Sequence, residues 1–304
     1  MHLALVSLGI SKGDEVIIPD LTFVATANAV IYTGAKPVFV DSEKRTWNIN
    51  PDKIEEKITD KTKAIIPVHV YGHPCDMDKI MEIAKKHNLF VIEDCAEAHG
   101  AEYKGKKIGS FCDIGCFSFY GNKILTTGEG GMCVTNNERL AERMRFLKDH
   151  GMSKEKRYWH PEIGFNHRMT NIQAALGVAQ LERINEIIEI KRKNAFLYNS
   201  LLKDVKGISL PPEEEYAKNV YWMYSILIEE DFPINRDELI IKLKENGIDS
   251  RPFFYPINVM PPYKSDERFP IAEELSKKGI NLPSSVKLKI EDIEKIASVI
   301  KQFI

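Results

Sequence analysis

Short apolar runs alternate with helical stretches through the first half of the chain. Six of these runs are almost continuously apolar, as in EVIIP (15–19), a pattern typical of strands buried on both faces of a sheet. The predicted strands are residues 15–19, 37–41, 64–70, 90–95, 114–119 and 131–135. The predicted helices between them are residues 22–33, 52–58, 76–88 and 137–150. This alternation predicts an α/β fold with a mostly parallel central sheet covered by helices.

The pattern changes after His150. Residues 157–169 combine aromatic and polar groups with little periodicity, and apolar spacing then predicts one helix from Thr170 to Leu202. A strand at 221–228, a helix at 236–246 and a helix over the last dozen residues are predicted further on. We therefore expect a large α/β domain over 1–170, a long connecting helix over 171–202 and a smaller α+β domain over 203–304.

Composition narrows the functional classes. The chain has 304 residues, 43% of them hydrophobic, and 42 basic against 44 acidic residues give a net charge of −2. This balance argues against disorder and against binding to nucleic acid or a membrane surface, and no apolar run reaches the roughly 20 residues of a membrane helix. Five cysteines without framework spacing predict reduced thiols in a cytoplasmic protein, with no zinc site.

The first candidate chemistry follows the strand that ends in VIED. Glu93 and Asp94 come directly after apolar residues, and Glu97 and His99 follow closely. Ligands of open α/β sheets bind beyond the carboxyl ends of the strands, and an ionised carboxylate there needs a cation or several donors. The alternative is structural, because a strand-end aspartate often caps a helix and His99 fits an ordinary loop histidine.

The second candidate is CFSFYGNK (116–123), which places Ser118 and Lys123 at the same predicted edge. A lysine that loses its hydration beside a close-packed turn becomes a nucleophile toward carbonyls, although most lysines are simply exposed in loops. The glycines of TTGEGG (126–131) lack a phosphate-binding spacing and predict a plain turn.

A carboxylate and a lysine at neighbouring strand ends suit pyridoxal phosphate. In that chemistry the lysine holds the aldehyde as a Schiff base and an acid keeps the pyridine nitrogen protonated. The competing interpretation is a hydrolase with a metal site, although HVYGHPCD lacks the usual helical histidine spacing. Its candidate ligands are His69, His73, Asp76, Glu93, Asp94 and His99.

Four segments resemble the DegT/StrS-type sugar aminotransferases, which are fold-type I, pyridoxal phosphate-dependent enzymes that act on nucleotide-linked keto sugars. These are VIEDCAEAHGAEYKGKKIGSFCDIGCFSFYGNKILTTGEGGMCVTN (91–136), DLTFVATANAVIYTGAKPVFVD (20–41), HPEIGFNHRMTNIQAALGVAQLERI (160–184) and RPFFYPINVMPPY (251–263). The likeness runs from Met1 to Ile304.

The resemblance assigns cofactor roles to individual residues. It makes Lys123 the Schiff-base lysine, where related dehydratases carry histidine. Asp94 matches the partner of the pyridine nitrogen, and Glu97 matches the position beside the ring hydroxyl. Ser118 matches a phosphate-binding serine, and Phe23 matches the aromatic residue stacked on the ring.

The resemblance also implies a homodimer with a shared active site. Asn166, with Arg168 as second choice, matches the group that completes the phosphate site of the facing subunit. His160 and Arg251 resemble contacts to the sugar nucleotide, and a forked guanidinium suits a phosphate or a carboxylate.

The implied reaction moves the amino group of glutamate to the 4-keto carbon of a nucleotide-linked 4-keto-6-deoxy sugar, in particular GDP-4-keto-6-deoxymannose. This chain departs from the family pattern at its N-terminus. Family members carry some tens of residues before the position of Met1, and these residues end in a Gly-Thr segment that binds the phosphate. The uncapped amphipathic helix around Leu3 to Leu8 likewise predicts a chain that begins inside an element. The alternative function is a truncated, non-catalytic paralogue that keeps the fold and dimerises or binds a nucleotide sugar.

Overall fold

The computed structural model describes residues 1–304, which form two larger sheets and one small one. The strands are β1 (Glu15–Pro19), β2 (Lys36–Val40), β3 (Thr62–Ile65), β4 (Phe90–Asp94), β5 (Glu102–Tyr103), β6 (Lys106–Lys107), β7 (Ile114–Ser118), β8 (Gly131–Val134), β9 (Ile208–Ser209), β10 (Ala217–Lys218), β11 (Tyr224–Ile228), β12 (Arg251–Pro252) and β13 (Gly279–Leu282). The helices are α1 (His2–Ser7), α2 (Ala25–Tyr32), α3 (Met77–His87), α4 (Glu138–Lys148), α5 (Asn171–Leu181), α6 (Ile184–Leu202), α7 (Arg236–Glu245), α8 (Pro270–Lys278) and α9 (Ile290–Lys301).

The central sheet has six strands in the order β2-β1-β3-β4-β7-β8. Its first five strands are parallel, and only β8 runs antiparallel to β7. All five residues of β1 are buried, as expected for a strand covered on both faces. The prediction of an α/β fold with a mostly parallel sheet is therefore confirmed.

The register of this sheet positions the candidate site. Asp94, the last residue of β4, is paired with Cys116 of the neighbouring parallel strand β7. Because parallel strands end at the same edge, the residues that follow β7, including Lys123, lie beside the end of β4.

A second hydrophobic core lies in the C-terminal part of the chain. It packs α6, α7 and α9 against the antiparallel sheet β12-β13-β11-β9, around side chains such as Tyr198, Leu239 and Ile296. Phe253, Phe269 and other apolar residues between 253 and 275 instead pack on the core of the central sheet. The division at residues 170 and 202 stays a prediction.

The predicted single helix over 171–202 is wrong in one respect, because the stretch forms two helices. A Thr170–Gln173 capping box starts α5, which ends at Leu181, and α6 begins at Ile184. Neither proline nor glycine marks the break, so apolar periodicity alone could not detect it.

Three other predicted elements differ from the structure. The strand at 64–70 lies at 62–65, and Pro67, which has no N–H group, follows it. The predicted helix at 52–58 is instead two short 3₁₀ turns, Pro51–Lys53 and Glu55–Lys57. The strand at 221–228 begins only at Tyr224, because Tyr221 has a left-handed backbone with φ of 46°.

None of the helices is long and apolar enough to cross a membrane. All five cysteines are free thiols.

Candidate active site

Asp94 presents a buried, fixed carboxylate at the end of β4. The Thr26 hydroxyl donates to Oδ2 at 2.9 Å, and the Ala96 backbone N–H donates to Oδ1 at 3.1 Å. Thr26 belongs to α2, which follows the Phe23 segment, so two of the motifs singled out in the sequence meet here. These contacts hold the carboxylate in one orientation while leaving it acceptor capacity for a further partner.

Glu97 and Lys123 form the polar centre of the site. Lys123 Nζ lies 4.0 Å from Glu97 Oε1, and the two side chains are 10% and 3% exposed. Glu97 Oε2 accepts the Tyr71 backbone N–H at 2.8 Å. Burial raises the pKa of Glu97 to about 7, against the opposing effects of the Lys123 cation and the Tyr71 amide. Burial also lowers the pKa of Lys123, which the charges of Glu97 and Asp94 partly counteract.

Ser118 and Phe23 offer the groups that a phosphorylated ring requires. The Ser118 hydroxyl accepts the Tyr120 N–H at 3.3 Å and donates to no other group of the chain, so its proton is free for a ligand. The Phe23 ring is 54% exposed and lies 5.9 Å from the Phe254 ring. A free hydroxyl and an uncovered aromatic face thus accompany the buried amine and carboxylates.

Arg251 shares a cavity with Lys123. This cavity of about 630 Å³ also includes Trp222, Lys191 and Gln180 in its wall. The Gln180 side chain accepts the Thr126 backbone N–H at 3.1 Å and donates to the Thr126 carbonyl, which ties α5 to the loop after Lys123. The structure therefore brings one of the two predicted substrate contacts to the lysine.

Asn166, Arg168 and His160 lie elsewhere. Arg168 pairs with Asp149 at 3.0 Å, and Asn166 forms a β-bridge with the same residue. Arg168 and His160 line a separate cavity of about 910 Å³. None of the three side chains contacts Asp94, Glu97, Ser118 or Lys123 of its own chain.

The candidate metal ligands are engaged in hydrogen bonds. The ligand atoms of His69, Glu93 and Cys95 lie within 4.8 Å of one another. His69 Nδ1 accepts the Cys75 N–H at 3.0 Å, so Nε2 carries the proton that it donates to Glu93 at 3.1 Å. Glu93 also accepts the N–H groups of Gly109 and Phe111 at 2.6 and 3.0 Å.

The other members of that set have structural contacts as well. His73 donates from Nδ1 to the Pro74 carbonyl at 2.8 Å and accepts the Glu214 N–H at 3.1 Å. Asp76 caps α3. His99 is buried between the rings of Phe117 and Phe119. These contacts give the residues a role in packing that requires no ion.

Two residues whose side chains contact Asp94 or Lys123 were not identified from the sequence. Thr26 lies within a quoted motif, and an alternation of small and polar residues after Phe23 is its only local signal. Trp222, whose ring faces Lys123, comes from the C-terminal part of the chain, about a hundred residues away from its contact, and no local pattern marks it.

The donor set fits pyridoxal phosphate. A buried lysine, a fixed aspartate on the neighbouring strand, a free serine hydroxyl and an exposed aromatic face lie along the carboxyl edge of a mostly parallel sheet. Fold and site together define a fold-type I, pyridoxal phosphate-dependent transferase.

The comparisons with known proteins agree with this class. Residues 1–301 match the DegT/DnrJ/EryC1/StrS aminotransferase family. GDP-perosamine synthase of Escherichia coli O157:H7 is 50% identical over 304 residues, which cover 100% of this chain and 82% of that protein. GDP-perosamine synthase of Caulobacter vibrioides is 48% identical, with 99% and 82% covered. The aminotransferase from Psychrobacter cryohalolentis matches with a TM-score of 0.94 and 36% identity, with 99% and 83% covered.

The chain belongs to the DegT/DnrJ/EryC1/StrS aminotransferase family. Its activity is that of a pyridoxal phosphate-dependent sugar aminotransferase.

Proposed function

We propose that the protein transfers the amino group of glutamate to C4 of GDP-4-keto-6-deoxymannose, which yields GDP-perosamine. The observation that carries the proposal is the buried Lys123 between Glu97 and the fixed Asp94, in a chain about 50% identical to a GDP-perosamine synthase. The likeness to that synthase supports the choice of nucleotide and sugar.

Each polar group of the site has a role in this proposal. Lys123 would hold the cofactor aldehyde, and its lowered pKa increases the fraction of free amine available to do so. Asp94 would bind the pyridine nitrogen, Ser118 would bind the phosphate, and Phe23 would cover the ring. Pyridoxal phosphate, when bound, supplies a protonated ring that withdraws electrons from the reacting carbon.

Glu97 is suited to accept and return a proton near Lys123. A carboxyl group with a pKa of about 7 exists in both protonation states near neutral pH, which is the condition for general acid–base catalysis. Its fixed contact with the Tyr71 amide orients the other oxygen toward the lysine.

A homodimer completes the site in this proposal. The groups expected to bind the phosphate from a second subunit, Asn166 and Arg168, do not contact the lysine of their own chain. The neighbouring α5 exposes Ile172 (78%) and Leu176 (52%), and exposed apolar groups on one helix are typical of an interface. Because Gln180 on the same helix holds the Lys123 loop, a partner seated on α5 lies close to the site.

The test is an absorbance titration of the purified protein with pyridoxal phosphate. We expect a visible band for the Lys123–cofactor linkage, its bleaching by glutamate and its recovery on addition of GDP-4-keto-6-deoxymannose. K123A supplies the control and should give no band of this kind. A folded protein that binds no cofactor would support the non-catalytic paralogue instead.

The substrate requires a separate assay. A panel of GDP-, UDP- and dTDP-linked 4-keto-6-deoxy sugars, each supplied with glutamate, should give the highest kcat/KM with the GDP-mannose derivative. A preference for another nucleotide would contradict the GDP assignment and leave the role of Lys123 intact.

A further inference from the structure

The indole of Trp222 lies directly against the amine of Lys123. Lys123 Nζ is 3.8 Å from the centroid of the ring, within the range of a cation–π contact. Trp222 precedes β11 and is only 5% exposed. A residue of the C-terminal part of the chain therefore forms one wall around the lysine that follows β7.

Contacts at both ends of the residue fix this position. Trp222 Nε1 donates to the carbonyl of Asn122, the residue before Lys123, at 2.8 Å. The Trp222 carbonyl accepts the Ser284 hydroxyl at 3.2 Å. The indole thus holds both the backbone and the side chain of the lysine segment.

The turn at Tyr71 and Gly72 contacts both Glu97 and Trp222, which lie on either side of Lys123. The Tyr71 N–H donates to Glu97, and the Tyr71 ring stacks on Trp222 with centroids 6.4 Å apart and an interplanar angle of 19°. Gly72 has a φ of 108°, and a Cβ there would lie 2.9 Å from the Trp222 backbone nitrogen. Only glycine allows this approach, so the turn couples the placement of Trp222 to that of Glu97.

We propose that Trp222 is a positioning residue for Lys123, whose ring face receives the free ammonium group and keeps it beside Glu97. The proposal rests on the role of Lys123 given above. When the amine is not bonded to cofactor, it needs a defined place from which it can return, and the indole face supplies one. A side chain without a π face leaves the ammonium group unsupported in a buried site.

Contact with the indole should affect the pKa of Lys123. The charged groups around Lys123 are Glu97 and Asp94, which favour its cation, the nearby His99, whose pKa burial and the Lys123 charge lower to about 4, and the cations Arg251 and Lys191 in the wall of the same cavity. Burial disfavours the cation, and the negative face of the indole adds to the carboxylates in opposing that effect. Removal of the indole should therefore lower the pKa of Lys123 further, even without cofactor.

The experiment measures the pH dependence of Lys123 modification in the cofactor-free protein. Wild type, W222F and W222L are treated with an amine-reactive reagent, and the peptide carrying Lys123 is quantified by mass spectrometry. We expect the apparent pKa of Lys123 to fall by about one unit in W222L, a tenfold change in its ionisation equilibrium, and by less in W222F, which keeps a ring.

The chain offers a matched control, because Trp159 makes a similar contact with Lys156 at 4.3 Å in an exposed position. W159L should leave the titration of Lys123 unchanged. In the cofactor-loaded enzyme, W222L should lower kcat with little change in the KM for glutamate, because the lysine rather than the donor is misplaced.

An unchanged Lys123 titration in folded W222L would overturn the proposal, whatever its activity. Circular dichroism establishes that the variant is folded. If W222L does not fold, W222F decides: an apparent pKa equal to that of wild type rejects the role of the indole, and a lowered one supports it. The titration does not require Lys123 to be catalytic, so failure of the proposed function and failure of this inference are distinguishable.

Discussion

Two regions that carry predicted site residues differ sharply in how they are built. At the edge of the central sheet, the Lys123 and Glu97 side chains are 10% and 3% exposed and are surrounded by contacts from their own chain. Between residues 158 and 181, by contrast, Ile163 is 90% exposed and Ile172 is 78% exposed. The contacts of Lys123 and Glu97 come from a single chain, whereas the second region presents apolar surface that nothing in the chain covers.

The two regions therefore differ in the interactions that stabilise them. Pre-arranged donors and burial set the protonation of Glu97 and Lys123 before any ligand arrives. Exposed isoleucine and leucine side chains gain free energy only when another surface covers them, at roughly 25 cal/mol for each Å² buried. We therefore expect substitutions in the first region to act on chemistry, and those in the second to act on assembly.

The largest expected effect comes from the charge at the end of β4. D94N keeps the size of the side chain and an acceptor for Thr26, but it removes the charge that, in the proposed function, would keep the pyridine nitrogen protonated. We expect kcat to fall by about 10²- to 10⁴-fold, the range of a lost proton-transfer partner, measured as single-turnover rates with glutamate. T26V is the graded control, since loss of one hydrogen bond of about 1 kcal/mol should cost only about fivefold. Equal losses in D94N and T26V would show that orientation, not charge, is what matters.

The second prediction tests whether Lys123 of one chain and Asn166 and Arg168 of another contribute to the same active site. K123A and the double variant N166A/R168A should each be nearly inactive, because each would remove one half of the site that the proposed homodimer shares. Co-expressed chains form mixed dimers that hold one intact site, so about a quarter of the wild-type activity should return at random pairing. Activity of the mixed preparation that does not exceed the sum of the two separate variants would contradict a shared site.

The sequence could predict that Asp94 and Lys123 lie at one edge of the sheet because the signals for their positions are local. Asp94 and Lys123 each follow a continuous apolar run, and the pairing of β4 with β7 brings them to one edge, as open α/β sheets do. Trp222 could not be predicted in the same way, because its place beside Lys123 depends on the packing of the C-terminal part of the chain. The break at Glu182 and Arg183 was missed for a similar reason, since both sides of it are good helix formers and only tertiary packing separates α5 from α6.

The third prediction concerns the exposed face of α5. I172E/L176E places two charges where a partner would have to desolvate them, whereas in the single chain both positions already face solvent. The double variant should weaken dimerisation by about a hundredfold or more and leave the unfolding free energy of the monomer within about 0.5 kcal/mol of wild type. Analytical ultracentrifugation measures the first quantity and urea titration the second. A dimer of unchanged affinity would place the interface elsewhere.

The smallest expected effect concerns the pKa of Glu97 and its influence on the pH dependence of stability. The pKa of Glu97 is about 7 in the folded chain against 4.5 in the unfolded one, so between these values the native state holds a proton that the unfolded state has lost. Unfolding therefore releases a proton in this pH range, and the contribution of Glu97 to stability, fully present below pH 4.5, declines as the pH rises to 7.

E97Q removes this titration and keeps a carbonyl oxygen for the Tyr71 amide. Relative to wild type, the cofactor-free variant should therefore gain about 2–3 kcal/mol in unfolding free energy between pH 5 and pH 8, measured by urea titration at each pH. E55Q is the matched control, because Lys86 and His87 lower the pKa of exposed Glu55 and its replacement should give a small change of the opposite sign. If E97Q and wild type respond to pH in parallel, Glu97 is ionised throughout this range, and the proton exchange with Lys123 that we propose would have no carboxylic acid to support it.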